Sequence, residues 1–448
     1  MEQMSRNQLL QAGLAVVVSG VIAGCGGGGD GASAPQAEVG AAAPAVASSE
    51  SAEQTKSQET VIRPAGLTAS IEKPSAASQE GAEKSPAAVG GKSAFPDDEA
   101  TKTLREVQQL RVSPLPNDVE KARETRRERN ERIVDMATRV IRLTMEDESR
   151  KPQFQAAISH LLEARFQTAL TGTEEDIDAL YSDVQALNDR DPKSTAAAEG
   201  VYYIARFAHT KASLTGNTQP VWFETLSRWA REFADRFPDQ QKRATTLLFG
   251  AGRSCELHAV STKDQELSKR LMTESQLCYT TLAEKFPNSD QGQEATASLR
   301  RLAVTGQTLT QFSGPTVDGG YVTSDEFSGK PTLIYFWESE SDEFVQEMLP
   351  ELEKIRAQLP ADRLRMVGVA MDEEEGALNA WLESHSVPGQ QIFFPNAEQR
   401  SWNSPLVRFW GIATCPSIWV VDANGKVVST NVKLDDLVPT LRQALKKP

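Results

Sequence analysis

Few side chains in this 448-residue chain have reactive chemistry, and they are scattered. There are four cysteines, Cys25, Cys255, Cys278 and Cys415, and four histidines, His160, His209, His258 and His385. Four dispersed thiols are too few for a disulfide scaffold. No His–His or His–Cys spacing matches a metal-ligand set, so neither a metal nor another cofactor is expected. Cys255 and Cys278 flank the polar turn Ser261-Thr262-Lys263-Asp264. A helical hairpin there would permit a disulfide in an oxidising compartment. Buried thiols are the plainer expectation, because cysteine is commonly buried. Cys415 immediately precedes Pro416. A single thiol there can form a mixed disulfide or meet peroxide, but it cannot cycle without a resolving partner. Its bland role is a small apolar filler at a crowded turn.

The segment that gives Cys415 its interest lies upstream. Gly329-Lys-Pro-Thr-Leu-Ile-Tyr-Phe-Trp337 reads as a turn leading into a buried strand, Thr332 to Trp337, rich in β-branched and aromatic residues. The chain then opens a helix near Ser341. This stretch resembles the active-site segment of the thioredoxin-like family, in its exported TlpA/ResA type. In that family an apolar strand ending Phe-Trp is followed by Cys-x-x-Cys at the first turn of a helix. Here Phe336-Trp337 is present, and the two cysteine positions fall on Ser341 and Phe344. A second signature, Gly411-Ile412 leading to Pro416 and the apolar strand Ser417 to Asp422, also resembles the family. The resemblance implies a cis proline at Pro416, beside positions 341 and 344 and next to Cys415.

The resemblance implies thiol–disulfide chemistry, and the residues oppose it. A reductase needs a thiolate at the helix start and a second thiol to resolve the mixed disulfide. Ser341 offers a far weaker acid, with no histidine near in sequence to activate it. Phe344 has no redox chemistry. Glu338, Glu340, Asp342 and Glu343 crowd the helix start, where they would disfavour a thiolate. They suit a helix instead: Ser341 can cap it, and acidic residues favour its positive end. These positions form a degenerate site with no confident catalytic residue.

The elements that must carry these positions follow from pattern. Leu309 to Tyr321 reads as a β-hairpin around Asp318-Gly319-Gly320. Asp342 to Leu359 reads as a helix, Leu364 to Met371 as a central strand, Glu374 to Ser384 as a helix and Gln391 to Phe394 as a short strand. Ser404 to Trp410 is a helix ending at Gly411. Asn424-Gly425 turns the strand after Pro416 into a hairpin with Lys426 to Ser429, and a last helix starts at Leu434. This gives an α/β domain over 305–448, a central mixed sheet flanked by helices.

Residues 97–304 read as all-α. The mixed charge run from Glu120 to Arg132 is a solvated helix face more readily than a basic patch for anionic lipid, because glutamates interleave it. Ile133, Met136, Val140 and Leu143 give that helix an apolar side. Three blocks end a helix on a proline and begin another after a small polar loop, at Pro192, Pro238 and Pro287. The last two agree closely, Phe233-Ala-Asp-Arg-Phe-Pro-Asp against Leu282-Ala-Glu-Lys-Phe-Pro-Asn. These blocks resemble tetratricopeptide-like helical hairpins, which implies a recognition surface. An irregular helical bundle is the alternative.

The first 25 residues read as an export signal. An apolar run from Leu9 to Ala23 is shorter than the roughly 20 residues of a spanning helix. Its end, Ile22-Ala23-Gly24-Cys25, resembles the lipobox of bacterial lipoproteins, which implies acylation of Cys25 and a lasting membrane anchor. Residues 26–96 are rich in Gly, Ala, Ser, Pro, Glu and Gln and read as a disordered tether reaching roughly 45 Å. The net charge of −14 argues against nucleic acid as a partner. The expected protein is a lipoprotein of the cell envelope, facing the periplasm or exterior. Its thioredoxin-like domain would be a redox-silent binding or scaffold module for an envelope protein or peptide. The alternative is a divergent thiol–disulfide oxidoreductase or peroxidase using Cys415.

Overall fold

The computed structural model describes residues 98–446. The export signal, Cys25 and the tether lie outside the described residues. The described chain divides between Trp229 and Ala230 into two compact units.

Residues 98–229 hold helices α1 (Glu99–Val112), α2 (Val119–Thr144), α3 (Lys151–Thr171), α4 (Glu174–Arg190) and α5 (Thr195–Thr215), and the start of α6 (Val221–Arg236). Short polar side chains start the helices. Asp98 accepts from Thr101 N, Asp118 from Lys121 N and Ser194 from Ala197 N, each satisfying an orphan amide. Helix α2 keeps its charge run in water, with Arg127 paired to Glu131 one turn on at 3.0 Å. Its buried stripe is Ile133, Val134, Ala137 and Val140. That is rotated from the expected stripe, and Leu143 stays 40% exposed. The small Ala137 sets the contact face, because it packs with Leu161 and Ala164 of α3. Helix α5 is buried continuously from Ala196 to Ala208. Its Ala- and Gly-rich start permits this: a Cβ on Gly200 would meet Val184 Cγ1 at 2.9 Å.

The second unit continues with α7 (Gln241–Ser261), α8 (Gln265–Lys285) and α9 (Asp290–Ala303). Helix ends fall beside each of the three prolines: α4 stops at Arg190, α6 at Arg236 and α8 at Lys285. Asp264 caps α8 and Ser289 caps α9.

A five-stranded sheet follows, in the order β5-β4-β3-β6-β7. Its strands are β3 (Thr332–Trp337), β4 (Arg365–Ala370), β5 (Gln390–Ile392), β6 (Ser417–Val421) and β7 (Val427–Ser429). β3, β4 and β5 are parallel, while β6 runs antiparallel to β3 and to β7. A separate hairpin pairs β1 (Ser313–Pro315) with β2 (Tyr321–Thr323), so its strands begin and end later than the expected Leu309 to Tyr321.

Both faces of the sheet are covered, which is why β3 and β4 read as unbroken apolar runs. Ile334, Phe336, Val367, Val369 and Trp419 share one core with α12 (Pro405–Trp410). Leu333, Tyr335, Trp337, Met366 and Ile418 share the other. Helices α10 (Leu349–Gln358), α11 (Glu375–Ser384) and α13 (Leu434–Lys446) contribute to that second core. The predicted all-α region followed by a mixed-sheet α/β domain is the observed architecture.

Candidate functional site

Register brings the two signature segments together. Phe336 pairs with Ser417 on antiparallel strands, so the chain leaving β3 and the chain entering β6 meet at one end of the sheet. The Cys415–Pro416 peptide is cis, as the resemblance implied. Ser341 starts the helix as expected, with Phe344 N donating to its Oγ at 3.3 Å and Val345 N to its carbonyl at 2.9 Å.

That helix departs from the expected one in its first turns. Residues Phe344–Met348 form a π turn before α10, with Leu349 N donating to Phe344 O. The cause is Pro350 near the start of α10. It has no N–H to give the carbonyl four residues back, and its ring needs room there. The wider turn supplies that room.

Phe344 is fully buried. It stacks on Trp337 at 4.7 Å between ring centres and lies 6.4 Å from Tyr335 and 6.3 Å from Trp381. Trp337 and Trp381 are 5.3 Å apart, and Trp381 stacks on His385 at 4.1 Å. An aromatic column thus runs from the core to an exposed histidine. Gln391 braces it. Trp337 Nε1 donates to Gln391 Oε1 at 3.0 Å, and Gln391 Nε2 donates to the Tyr335 hydroxyl at 2.9 Å. A side chain on Gly368 would lie 1.9 Å from Gln391 Oε1, so the glycine inside β4 makes room for this brace.

Cys415 is 2% exposed and packs in the core with Trp410 and Trp419. Burial pushes its thiol pKa up, and the charges of Glu338, Asp372 and Glu343 add to the rise. A thiolate there is disfavoured by both causes. Asp372 accepts from the Ser339 amide at 3.1 Å and from the Ser339 hydroxyl. Its pKa is raised by burial in spite of those bonds. Glu343 is also raised, by burial and by Glu347. The site is therefore acidic and partly dry, with one thiol that resists ionisation. Cys255 and Cys278 are buried thiols elsewhere, on α7 and α8. Among the described residues no group of three or more His, Cys, Asp or Glu is placed to hold a metal.

Sequence reasoning located Ser341, Phe344, Cys415 and Pro416 but missed Asp372, Trp381 and Gln391. Gly368 inside an apolar strand was the one available signal of a close approach there.

The chain matches the AhpC/TSA family over residues 305–430. That match, over the residues that carry the mixed sheet, decides the assignment. Residues 305–430 form a thioredoxin-like domain. Similar solved structures include the thioredoxin domain of a thiol-disulfide oxidoreductase from Bacteroides vulgatus, at 22% identity over 32% of this chain and 98% of that one, TM-score 0.28. A thioredoxin-family thiol:disulfide interchange protein from Chlorobium tepidum is 21% identical over 31% and 95%, TM-score 0.26. A secreted disulfide oxidoreductase from Mycobacterium tuberculosis is 17% identical over 30% and 96%, TM-score 0.25. No curated protein matches the chain. In this thioredoxin-like domain, an aromatic and a serine hold the positions where the resemblance implies two thiols.

Proposed function

We propose that this protein is an exported, membrane-anchored lipoprotein of the bacterial cell envelope, and that its thioredoxin-like domain is a redox-silent binding or scaffold module. The observation that supports this most is Phe344. It occupies the position where the resemblance implies the second thiol, and it is locked there by stacking on Trp337. With Ser341 capping the helix, the helix start is built for packing. Ser341 and Phe344 offer no thiol to resolve a disulfide at Cys415, and its surroundings disfavour the thiolate.

The deciding experiment is a disulfide-reduction assay on the full-length protein driven by dithiothreitol. Turnover is expected to equal that of Cys415→Ser. Turnover well above background that Cys415→Ser abolishes would make the protein a divergent oxidoreductase instead. Anchoring is read separately: Cys25→Ala is expected to move the protein from salt-washed membranes to the soluble fraction. Retention on membranes would rule out acylation as the anchor.

A further inference from the structure

The last turn of helix α9 carries two successive arginines, and both reach the end of α12. Arg300 Nη1 donates to Phe409 O, and its guanidinium lies 4.0 Å from the Phe409 ring centre. Arg301 Nε donates to Gly411 O at 2.8 Å. The last carbonyls of a helix have no partner within it, and they carry the negative end of its dipole. Two cations therefore cap α12 from another element.

Arg301 is itself held. It is 4% exposed, and its Nη1 pairs with Glu256 Oε1 of α7 at 2.7 Å. The hydroxyl of Tyr279 on α8 donates to Glu256 Oε2 at 2.9 Å. Burial alone would raise the Glu256 pKa, yet the charge and hydrogen bond of Arg301 hold it below its ordinary value. The ion pair is thus intact in the dry interior. Gly411 has φ +56°, and a side chain there would lie 2.5 Å from Ser298 N of α9, so the backbones are in close contact. Lys433 fastens a second point, donating to Thr262 O at 3.0 Å beyond the end of α7. From Gly411 the chain runs through Ile412, Ala413 and Thr414 straight to Cys415.

We propose that α7, α8 and α9 form a lock on the 411–416 loop, with Arg301 as its positioning residue, and that this lock sets the access of reagents to Cys415. The loop that carries the thiol is held at Gly411 by a helix outside the matched family segment. An event that lifts α9 off α12 would open it. This inference concerns access to the thiol and does not depend on whether the domain turns over substrate.

The test uses the full-length protein and N-ethylmaleimide, with modification of each cysteine followed by mass spectrometry. The double variant Glu256→Gln with Arg301→Met removes the cap on Gly411 and leaves no unpaired buried charge. Cys415 is expected to react about tenfold faster, with Cys278 within about twofold of the parent protein. An unchanged Cys415 rate overturns the lock. So does a parallel rise at Cys278, which would mean general loosening. Arg300→Ala, whose side chain is only half-buried, decides the matter if the double variant does not fold. It is expected to speed Cys415 alone by about two- to fivefold, and no change overturns the proposal.

Discussion

Two buried clusters in this molecule use the same three residue types to different ends. In the first unit Tyr203 donates to Glu163 Oε2 at 2.7 Å, and Arg206 lies 3.7 Å from the same carboxylate. In the second, Tyr279 and Arg301 hold Glu256 in the same way. Arg206 turns inward. Its guanidinium sits 5.2 Å from the ring centres of Phe166 and Tyr203, and its Nε and Nη1 have no hydrogen-bond partner. Arg301 spends the equivalent Nε on Gly411 O, in a different element. The difference teaches that a buried ion pair does not announce its role. One is insulated within a helical layer, and the other is a joint.

The sharpest way to break that comparison is to replace each arginine by methionine. Arg301→Met takes the ion-pair partner from Glu256, which stays buried with the Tyr279 hydroxyl, at a cost of roughly 3–5 kcal/mol. Arg206→Met removes a poorly satisfied guanidinium, while Glu163 keeps the Tyr203 hydroxyl and a partly exposed side chain. Its cost is about 1 kcal/mol or less. Urea unfolding midpoints of the two variants measure the gap. Equal losses would mean that the two clusters do the same job.

Acidification sharpens the comparison at a smaller scale. His160 Nδ1 accepts from Arg111 Nη1 at 3.1 Å, and burial, then the Arg111 charge, lowers its pKa to about 4. His209 in the same unit is also lowered to about 4, by burial and by Arg206. Between pH 6.5 and 5 the unfolded state takes up protons that the folded state refuses, so stability falls with pH. For His160 alone that amounts to about 2 kcal/mol by pH 5. Glu256 shifts in the same direction, but its window lies lower. Its depressed pKa contributes stability that is present above the ordinary value of 4.5 and is lost only as pH falls through the folded-state value. Half-exposed His258 adds a weaker drift of the same sign as His160. Region-resolved hydrogen exchange at pH 7 and pH 5 should therefore show residues 98–229 opening first. Protection lost first from 230–446 would contradict this.

The smallest effect belongs to Ser417. Its Oγ and Arg301 Nη2 are both buried without a hydrogen-bond partner, and both residues line the same cleft. Ser417→Ala removes an orphan hydroxyl, so stability should stay within about 0.5 kcal/mol or rise slightly. A loss above about 1 kcal/mol in thermal unfolding would show that the hydroxyl is used.

Much of the fold was legible because its signals are local. Pro192, Pro238 and Pro287 mark helix stops by their own covalent structure, and Asn424-Gly425 marks a hairpin by its backbone preference. Phe336-Trp337 and Pro416 located the site, and Ser341 is the cap its type suggested. What was not legible depends on distance in sequence. Glu256 and Arg301 are 45 residues apart in the chain, and nothing near either one says that they meet. Gly411 was read as a helix end, which it is. Its second reason, the approach of Ser298, belongs to another helix. The π turn at Phe344 was missed because the apolar spacing of the helix looks continuous across it, while Pro350 breaks the hydrogen bonding underneath.

The aromatic column gives this site an optical voice. Trp337 and Trp381, 5.3 Å apart with their planes at 45°, are close enough for their excited states to mix. Such a fixed, tilted pair produces near-ultraviolet circular dichroism that an isolated indole lacks. Trp381 forms the outer half of the pair and is covered by His385. A molecule settling on α11 would change the angle or the surroundings of that half, and the spectrum with it. Contact at this end of the domain can thus be followed without a label and without any reaction taking place.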